Sequence, residues 1–360
     1  MKKMLISKEQ NKIFIDKNSK KYFKALFVIV ILIEFILLLL IINIRINIRI
    51  YNKEVIKTIQ KLNFNNSMII NKINIDYDNN FAIIRRNYSL NGLFGFYVAY
   101  IGCLNILINN GYIPILDLSS FPNIFNSFNP NNSKENPWEF FFRQPFEYKL
   151  KDVEKYGKNI KYIICNNPKN RPDTNIYKNK VILQFWHNLA LKYIPLKSTI
   201  IKEAEKVRNK LFNKSKNVLG VLIRGTDYIS NKPKGHPIQP DPNIVIKDIK
   251  GMDKKNKYDW IFLTTEDDKI RNKFILKIEK KLKYLKSEKN IEYNYNNSEY
   301  IALNKHIKGN INFIKIYLIN VIIVSKCIDV ICSRTAGSVG AFILSNGFRN
   351  FKVYFLGRYK

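Results

Sequence analysis

The chain has 360 residues, enough to bury one large core or two medium ones. Lys and Arg total 61 against 28 acidic residues, a formal net charge of +33, which raises nucleic acid or an anionic membrane surface as a partner. We exclude nucleic acid, because the lysines are spread along an Asn- and Ile-rich chain that has no zinc-finger spacing, helix-turn-helix signature or basic stripe interleaved with aromatics. The charge is then either a solvated surface or an attraction for phosphates and acidic lipid.

The N-terminal part of the chain predicts a membrane tether. Residues 25–42 are apolar except for Glu34, and their 18 residues are near the lower limit for a bilayer-spanning helix. The segment continues into polar sequence without a small-residue cleavage site, which favours an uncleaved anchor over a signal peptide. An amphipathic or buried helix of a soluble domain is the alternative. Positive residues flank both ends, so the topology stays open. A basic tail (1–24) precedes the anchor and a polar stem (43–85) follows it.

The first strongly patterned segment predicts an α/β unit. A Gly-rich turn at residues 91–95 leads into an apolar helix that ends at Gly111, and a short strand follows at residues 113–118. The aromatic loop over residues 119–147 is too long for a simple connection, and we expect it to be ordered. We assign residues 86–210 to a Rossmann-like domain on the acceptor side.

Three continuous apolar runs in the second half predict buried parallel strands, with a helix before and after the last of them. The strands are expected at residues 218–223, 260–264 and 329–332. Residues 211–360 form the predicted second Rossmann-like domain, which binds the nucleotide sugar. The expected fold class is α/β, with two parallel-sheet domains facing a central cleft.

Each of these three strands ends in a polar cluster, and ligands of open parallel sheets bind beyond the carboxyl ends of strands. In the first cluster, Arg224 offers a planar fork of donors that suits a diphosphate, and Asp227 either orients that fork or accepts hydrogen bonds from a ribose or base. A purely structural Arg–Asp pair is the alternative. His236 follows in a Pro-rich loop and is either part of the site or structural.

The other two clusters also have a functional and a structural interpretation. Thr265, Asp267 and Asp268 either bind ribose hydroxyls, hold a divalent cation with phosphates, or cap the next helix. Residues 333–338 precede a helix, so they form either a phosphate cradle or an ordinary capped turn.

The four cysteines stand in apolar contexts without C-x-x-C spacing. We predict free, buried thiols in a reducing compartment, in preference to a disulfide framework or a metal site. The residues are Cys103, Cys165, Cys327 and Cys332.

Four segments together resemble a known family. Residues 221–227 with the following His236-Pro237, residues 263–268 and residues 331–338 are similar in order and spacing to motifs of the α1,6- and protein O-fucosyltransferase superfamily. The unit from Gly92 to Asp117 resembles the Gly-rich first strand-turn-helix of that superfamily. The resemblance extends over residues 91 to 345.

The resemblance implies a GT-B fold, a GDP-sugar donor such as GDP-fucose, inversion at the anomeric carbon and no obligatory metal or other cofactor. It implies that Arg224 binds the β-phosphate and assists the departure of GDP, with Asp227 in support, so these two are the catalytic candidates. Donor-binding roles are implied for both residues and for Gly92, Gly95, Phe96, His236, Thr265, Asp267, Asp268, Ser333, Thr335, Ala336, Gly337 and Ser338.

The sequence departs from the family pattern at four positions. Leu222 replaces a His, Gly225 replaces a second Arg, and Lys232 stands where an acidic residue is expected. Asn320 replaces an Asp in the helix before the third strand. The catalytic base and the donor sugar therefore stay open.

These observations predict a single-pass, membrane-anchored glycosyltransferase that moves fucose from GDP-fucose to a glycan acceptor, as in surface polysaccharide synthesis. The alternatives are a different nucleotide-sugar donor, or an inactive, anchored carbohydrate-binding or scaffold protein. The catalytic domain is expected at the cytoplasmic face in a bacterium and in the lumen in a eukaryote.

Overall fold

The structure is a computed structural model that describes residues 78–86, 91–120, 123, 125, 135–166, 171–225, 227–230, 232–285, 311–345 and 347–360. The chain divides into two compact units, 1–71 and 72–360, and every described residue belongs to the second. The predicted tail, the predicted anchor and most of the predicted stem lie outside the described residues. Within the described ranges, no helix is both long and apolar enough to cross a bilayer.

The first half contains a three-stranded parallel sheet with the order β2-β1-β3. Its strands are β1 (Asn80–Arg85), β2 (Ile113–Leu116) and β3 (Asn159–Ile164). Helix α1 (Leu93–Asn109) connects β1 to β2, and Gly111 with φ of 77° follows its end, as the sequence predicted.

The central strand of this sheet corrects the predicted stem. We expected residues 43–85 to be a polar linker, but β1 occupies the last six of them. Phe81 to Ile84 are completely buried, because β1 lies between two other strands and is covered by helices. The apolar run is only four residues long, too short to stand out in the surrounding polar sequence.

The aromatic loop is ordered where the structure describes it. It contains α2 (Trp138–Phe141), a 3₁₀ turn (Pro145–Glu147) and α3 (Leu150–Tyr156). The completely buried Trp138 ring stacks on Phe142 at 4.3 Å and lies 6.4 Å from Tyr97 of α1. The loop therefore completes the core between α1 and the sheet.

A helical segment leads from the first sheet to the second. It consists of a 3₁₀ turn (Thr174–Tyr177), α4 (Lys180–Tyr193) and α5 (Ser198–Phe212). The side chain of Asn179 caps α4 by accepting hydrogen bonds from the N–H groups of Val181 and Ile182.

The second half contains a five-stranded parallel sheet with the order β6-β5-β4-β7-β8. The strands are β4 (Val218–Leu222), β5 (Trp260–Thr264), β6 (Leu282–Lys283), β7 (Asp329–Ser333) and β8 (Asn350–Tyr354). The three predicted strands are confirmed as the three central ones. The edge strands β6 and β8 were not predicted.

The helices of the second half are α6 (Asp227–Ser230), α7 (Pro242–Asn256), α8 (Asp268–Ile278), α9 (Ile311–Ser325) and α10 (Ala336–Leu344). Helices α9 and α10 confirm the predicted helices before and after β7. Helix α10 also packs on α1, since a Cβ atom at Gly340 would overlap the Phe94 ring. The Phe94 ring lies 5.8 Å from that of Tyr317 in α9. This packing places the Gly-rich turn beside the second sheet.

The cysteine prediction was wrong for one pair. Cys103 of α1 and Cys165 form a disulfide, with their Cα atoms 6.4 Å apart. They are separated by 62 residues in sequence, and the parallel pairing of β3 with β1 brings the end of β3 next to α1. Cys327 and Cys332 are free and buried, as predicted. Burial raises the pKa of each of these thiols to about 12.

Candidate active site

The three polar clusters meet at one edge of the five-stranded sheet. Strands β5, β4 and β7 are neighbours and parallel, and Leu222 of β4 pairs in register with Thr264 of β5 and Cys332 of β7. The residues that follow these three strands therefore share the carboxyl edge, where parallel α/β sheets bind ligands.

Arg224 lies at the centre of this edge, held by a carboxylate and an aromatic ring. Its Nε atom is 3.8 Å from Oε1 of Glu266, and its guanidinium carbon is 4.5 Å from the centroid of the Tyr228 ring. Its side chain remains 27% exposed. A guanidinium in this position is oriented by the protein and still accessible to a ligand.

Gly225 allows the first and second clusters to approach closely. Its N–H donates to Oε1 of Glu266 at 3.1 Å, and a Cβ atom at this position would lie only 2.7 Å from Cγ of Asp267. The family pattern has a second Arg at this position. The space is already filled by Asp267, so a side chain at 225 has no room.

The other residues of the first cluster are partly confirmed as neighbours. Asp227 is the first residue of α6, and its side chain lies outside what the structure describes. The His236 ring packs edge-on against Tyr228 at 5.1 Å, which places His236 one ring away from Arg224. Its loop is fixed by hydrogen bonds to the C-terminal Tyr359, from Gly235 N to Tyr359 O at 2.8 Å and from Tyr359 N to His236 O at 3.0 Å.

The acidic residues after β5 mainly contact neighbouring groups of the same segment and of helix α8. Asp267 is 5% exposed and caps α8 by accepting from Ile270 N at 3.0 Å, so the capping interpretation holds for this residue. Asp268 pairs with Arg271, and the Thr265 hydroxyl oxygen accepts from Asp267 N. The carboxylate that reaches Arg224 is Glu266, which the sequence did not single out.

The third cluster forms a capped helix start. The Thr335 hydroxyl oxygen accepts from Ser338 N at 3.2 Å, and the Ser338 hydroxyl donates to the carbonyl of Ser333 at 2.5 Å. These hydroxyls stabilise the turn. The N–H groups of Ala336 and Gly337 lie in the first helical turn, where N–H groups have no intrahelical acceptor and can donate to an anion.

The Gly-rich turn of the first half is only partly suited to a donor. Gly92 is exposed at the N-cap of α1, and Gly95 lies in its first turn. Phe96 is completely buried, with its ring 6.1 Å from Tyr100 and 5.9 Å from Phe125. Core packing therefore takes up its ring, and its donor-binding role stays a prediction.

Tyr317 is a site residue that the sequence did not reveal. Its hydroxyl is so close to Gly337 that a Cβ atom there would collide with it. Burial raises the pKa of Tyr317, and the nearby positive charge of Arg224 opposes this effect. Tyr317 thus links the first and third clusters from α9. Nothing in its local sequence distinguishes it from other apolar-face residues of that helix.

The chemistry of this edge is that of anion binding. It combines a fixed guanidinium, an aromatic platform and the amide donors at the start of α10. Among the described residues, no group of three or more His, Cys, Asp or Glu side chains is placed to hold a metal ion. The guanidinium and the amide donors suit the orientation and neutralisation of a phosphate.

Comparison with known proteins gives one kind of match. No family profile and no curated protein matches the chain. Among solved structures, the chain is similar to NodZ alpha-1,6-fucosyltransferase soaked with GDP-fucose, at 14% identity over 74% of this chain and 93% of that one, with a TM-score of 0.41. The fucosyltransferase NodZ from Bradyrhizobium gives the same identity and coverage with a TM-score of 0.42.

A third similar structure is POFUT1 in complex with GDP, at 11% identity over 78% of this chain and 99% of that one, with a TM-score of 0.47. The first two of these structures are fucosyltransferases. With TM-scores below 0.5, the likeness alone decides neither substrate nor mechanism, so the functional case rests on the residues at the carboxyl edge of β4, β5 and β7.

Proposed function

We propose that this protein is a glycosyltransferase that binds a nucleoside diphosphate sugar at the carboxyl edge of the five-stranded sheet and transfers the sugar to a glycan. The observation that carries the proposal is the placement of Arg224, with its guanidinium over Tyr228 and beside Glu266, next to the start of α10. This is where parallel sheets bind nucleotides, and the groups present suit a diphosphate.

The main requirement of the proposed reaction is that the negative charge on the leaving diphosphate is neutralised. Breaking the bond between the anomeric carbon and the diphosphate oxygen leaves positive charge on the sugar and negative charge on the leaving group. Arg224 neutralises the negative charge as it develops, and the guanidinium needs no reorganisation because the protein already holds it. The acceptor hydroxyl attacks the anomeric carbon from the face opposite to the leaving group and releases its proton to water as the new C–O bond forms, so the configuration inverts.

The finer parts of the proposal follow the motifs. We assign fucose as the sugar and GDP-fucose as the donor, with no obligatory cofactor and a glycan or glycoconjugate as acceptor. The two parallel sheets support a GT-B-like arrangement of two Rossmann-like domains, the predicted 86–210 extended at its start to include β1 (Asn80–Arg85) and the predicted 211–360, with the cleft between them. Surface polysaccharide or glycoconjugate synthesis is the proposed setting.

Residues 25–42 are proposed as a single-pass anchor. The Cys103–Cys165 disulfide supports an oxidising compartment for the folded domain. That favours the luminal side in a eukaryote and speaks against the cytoplasmic face in a bacterium.

A thermal-shift screen tests the proposal. GDP-fucose, GDP-mannose, GDP and UDP-sugars are added to the full chain, and a ligand at about one hundred times its Kd stabilises the folded state by about 2.7 kcal/mol. We expect GDP-fucose and GDP to raise the melting temperature. A higher melting temperature with a UDP-sugar alone would mean that the donor is a UDP-sugar and not GDP-fucose. An unchanged melting temperature with every nucleotide would refute the transferase assignment.

A further inference from the structure

A second arginine occupies the same edge as Arg224. Leu222 of β4 pairs in register with Cys332 of β7, and Arg224 and Arg334 each follow two residues later. Neighbouring parallel strands lie about 4.8 Å apart, so the two arginines leave the sheet at equivalent positions. Arg334 does not stand out in the sequence because it lies inside the Ser- and Thr-rich turn.

Arg334 has no counter-charge of its own. Within the part of the chain that the structure describes, its guanidinium makes no ion pair and no hydrogen bond, although it is partly buried. Burial and the nearby Arg358 lower the pKa of Arg334, while Tyr177 and Asp173 act in the opposite direction. A partly desolvated cation next to another cation is unfavourable unless an anion joins them.

Arg358 is fixed in place by the His236 loop. Residues Pro237 and Arg358 form an antiparallel bridge, and Nη1 of Arg358 donates to the carbonyl of Gly235. These contacts hold the C-terminal segment beside the first cluster. They leave Arg358 without an ion pair among the described residues.

Tyr177 adds a buried hydroxyl within electrostatic reach of Arg334. Its ring packs edge-on against Phe342 of α10 at 4.7 Å and against Phe355 at 6.0 Å. Phe355 follows Tyr354, which pairs with Ser333, so this ring lies beside Arg334. Tyr177 is only 5% exposed, and within the described residues its hydroxyl has no hydrogen-bond partner.

We infer that Arg334 and Arg358, with the Tyr177 hydroxyl, form a second phosphate-binding position, so that a nucleoside diphosphate is held from β4 by Arg224 and from β7 by Arg334. Asp267 fills the space beside Gly225, so the second cation comes from the neighbouring strand. This inference rests on the proposed nucleoside diphosphate function and adds the residues that complete its anion site.

The test is equilibrium binding by calorimetry to the full chain and to Arg334→Gln, with GDP, guanosine and inorganic pyrophosphate as probes. Loss of a charge-assisted hydrogen bond is expected to weaken GDP and pyrophosphate binding about 10- to 100-fold. Guanosine binding is expected to stay the same, because it carries no phosphate. The control is Arg143→Gln, which removes the same charge from an exposed pair with Glu147 in the first half and should leave all three affinities unchanged.

Thermal unfolding without ligand separates this role from a structural one. Arg334→Gln is expected to melt at the same temperature as the unchanged chain or higher, because an unneutralised cation is removed. A lower melting temperature, or equal losses of guanosine and GDP affinity, would overturn the inference by indicating a folding defect.

The remaining outcomes distinguish the inference from the function on which it rests. Equal GDP affinity in the variant and the unchanged chain would refute the role of Arg334 and leave the proposed function intact. Pyrophosphate binding that depends on Arg334, without binding of any nucleotide, would support the anion site and refute the function. Binding of no probe at all would refute both.

Discussion

The carboxyl edges of the two parallel sheets both carry arginines but use them differently. At the first sheet, Arg85 Nε lies 2.7 Å from Oδ2 of the completely buried Asp117, and its Nη2 lies 3.3 Å from Glu154. At the second, Arg224 is 3.8 Å from Glu266, and Arg334 makes no ion pair within the described residues. The two edges thus differ in how closely a carboxylate is held: Arg85 forms a hydrogen-bonded pair with a buried aspartate, whereas Arg224 lies farther from Glu266.

At the first sheet, the Asp117 carboxylate accepts several hydrogen bonds. Besides the contact with Arg85, its carboxylate accepts hydrogen bonds from the N–H and the hydroxyl of Ser119, both at 2.7 Å. Ser120 donates to it through its N–H and its hydroxyl as well. The charges of Arg85 and Asp117 are satisfied by each other and by these donors, so we assign this pair a structural role and expect the second edge to bind the donor phosphates.

The largest expected effect is a loss of stability on removal of Asp117 from the carboxyl edge of the first sheet. Asp117→Ala removes the buried partner of Arg85 and of both serines, and is expected to lower the free energy of unfolding by about 3–5 kcal/mol. Urea unfolding monitored by circular dichroism measures it. Glu154→Ala is the control, since its pair with Arg85 is exposed and should be worth less than about 1 kcal/mol. Equal, small losses in both variants would mean that the first edge is not structural.

The next effect concerns the second edge. Arg224→Ala is expected to lower kcat/KM for transfer from the donor found in the screen by about 100- to 1000-fold, the cost of removing one preorganised group that neutralises developing charge. The free energy of unfolding should stay within about 0.5 kcal/mol, as for a partly exposed side chain outside the core. Arg143→Ala is the matched control and should keep full turnover. Unchanged turnover in Arg224→Ala would refute the assigned role.

The sequence predicted the parts of the fold that are buried on both sides. Strands β4, β5 and β7 are continuous apolar runs because they lie in the middle of the sheet. Strands β3 and β8 are edge strands with many exposed residues, so they show no such run. The central strand β1 was missed because it is short and follows a long polar segment.

The site was predictable to the extent that it lies directly at strand ends. Arg224 and the start of α10 follow predicted strands, so one rule of parallel sheets located them. Tyr317, Tyr177 and Arg358 come from distant segments that meet only in the folded chain. The Cys103–Cys165 disulfide also depends on strand pairing, which local sequence does not reveal.

The smallest expected effect is on the unfolding free energy of a Gly225 variant. Gly225 lies where the cluster after β4 contacts the cluster after β5. Gly225→Ala places a Cβ atom 2.7 Å from Cγ of Asp267, so the cap of α8 or the Arg224 loop must shift. Such overpacking is expected to cost about 1–3 kcal/mol of unfolding free energy. Gly251→Ala in α7 is the control with the opposite sign, because nothing lies within 4 Å of its added Cβ and Ala stabilises a helix interior by about 0.5–1 kcal/mol. If both variants were stabilised in urea unfolding, the close approach of Asp267 to Gly225 would be wrong, and room for a second cation on β4 would exist after all.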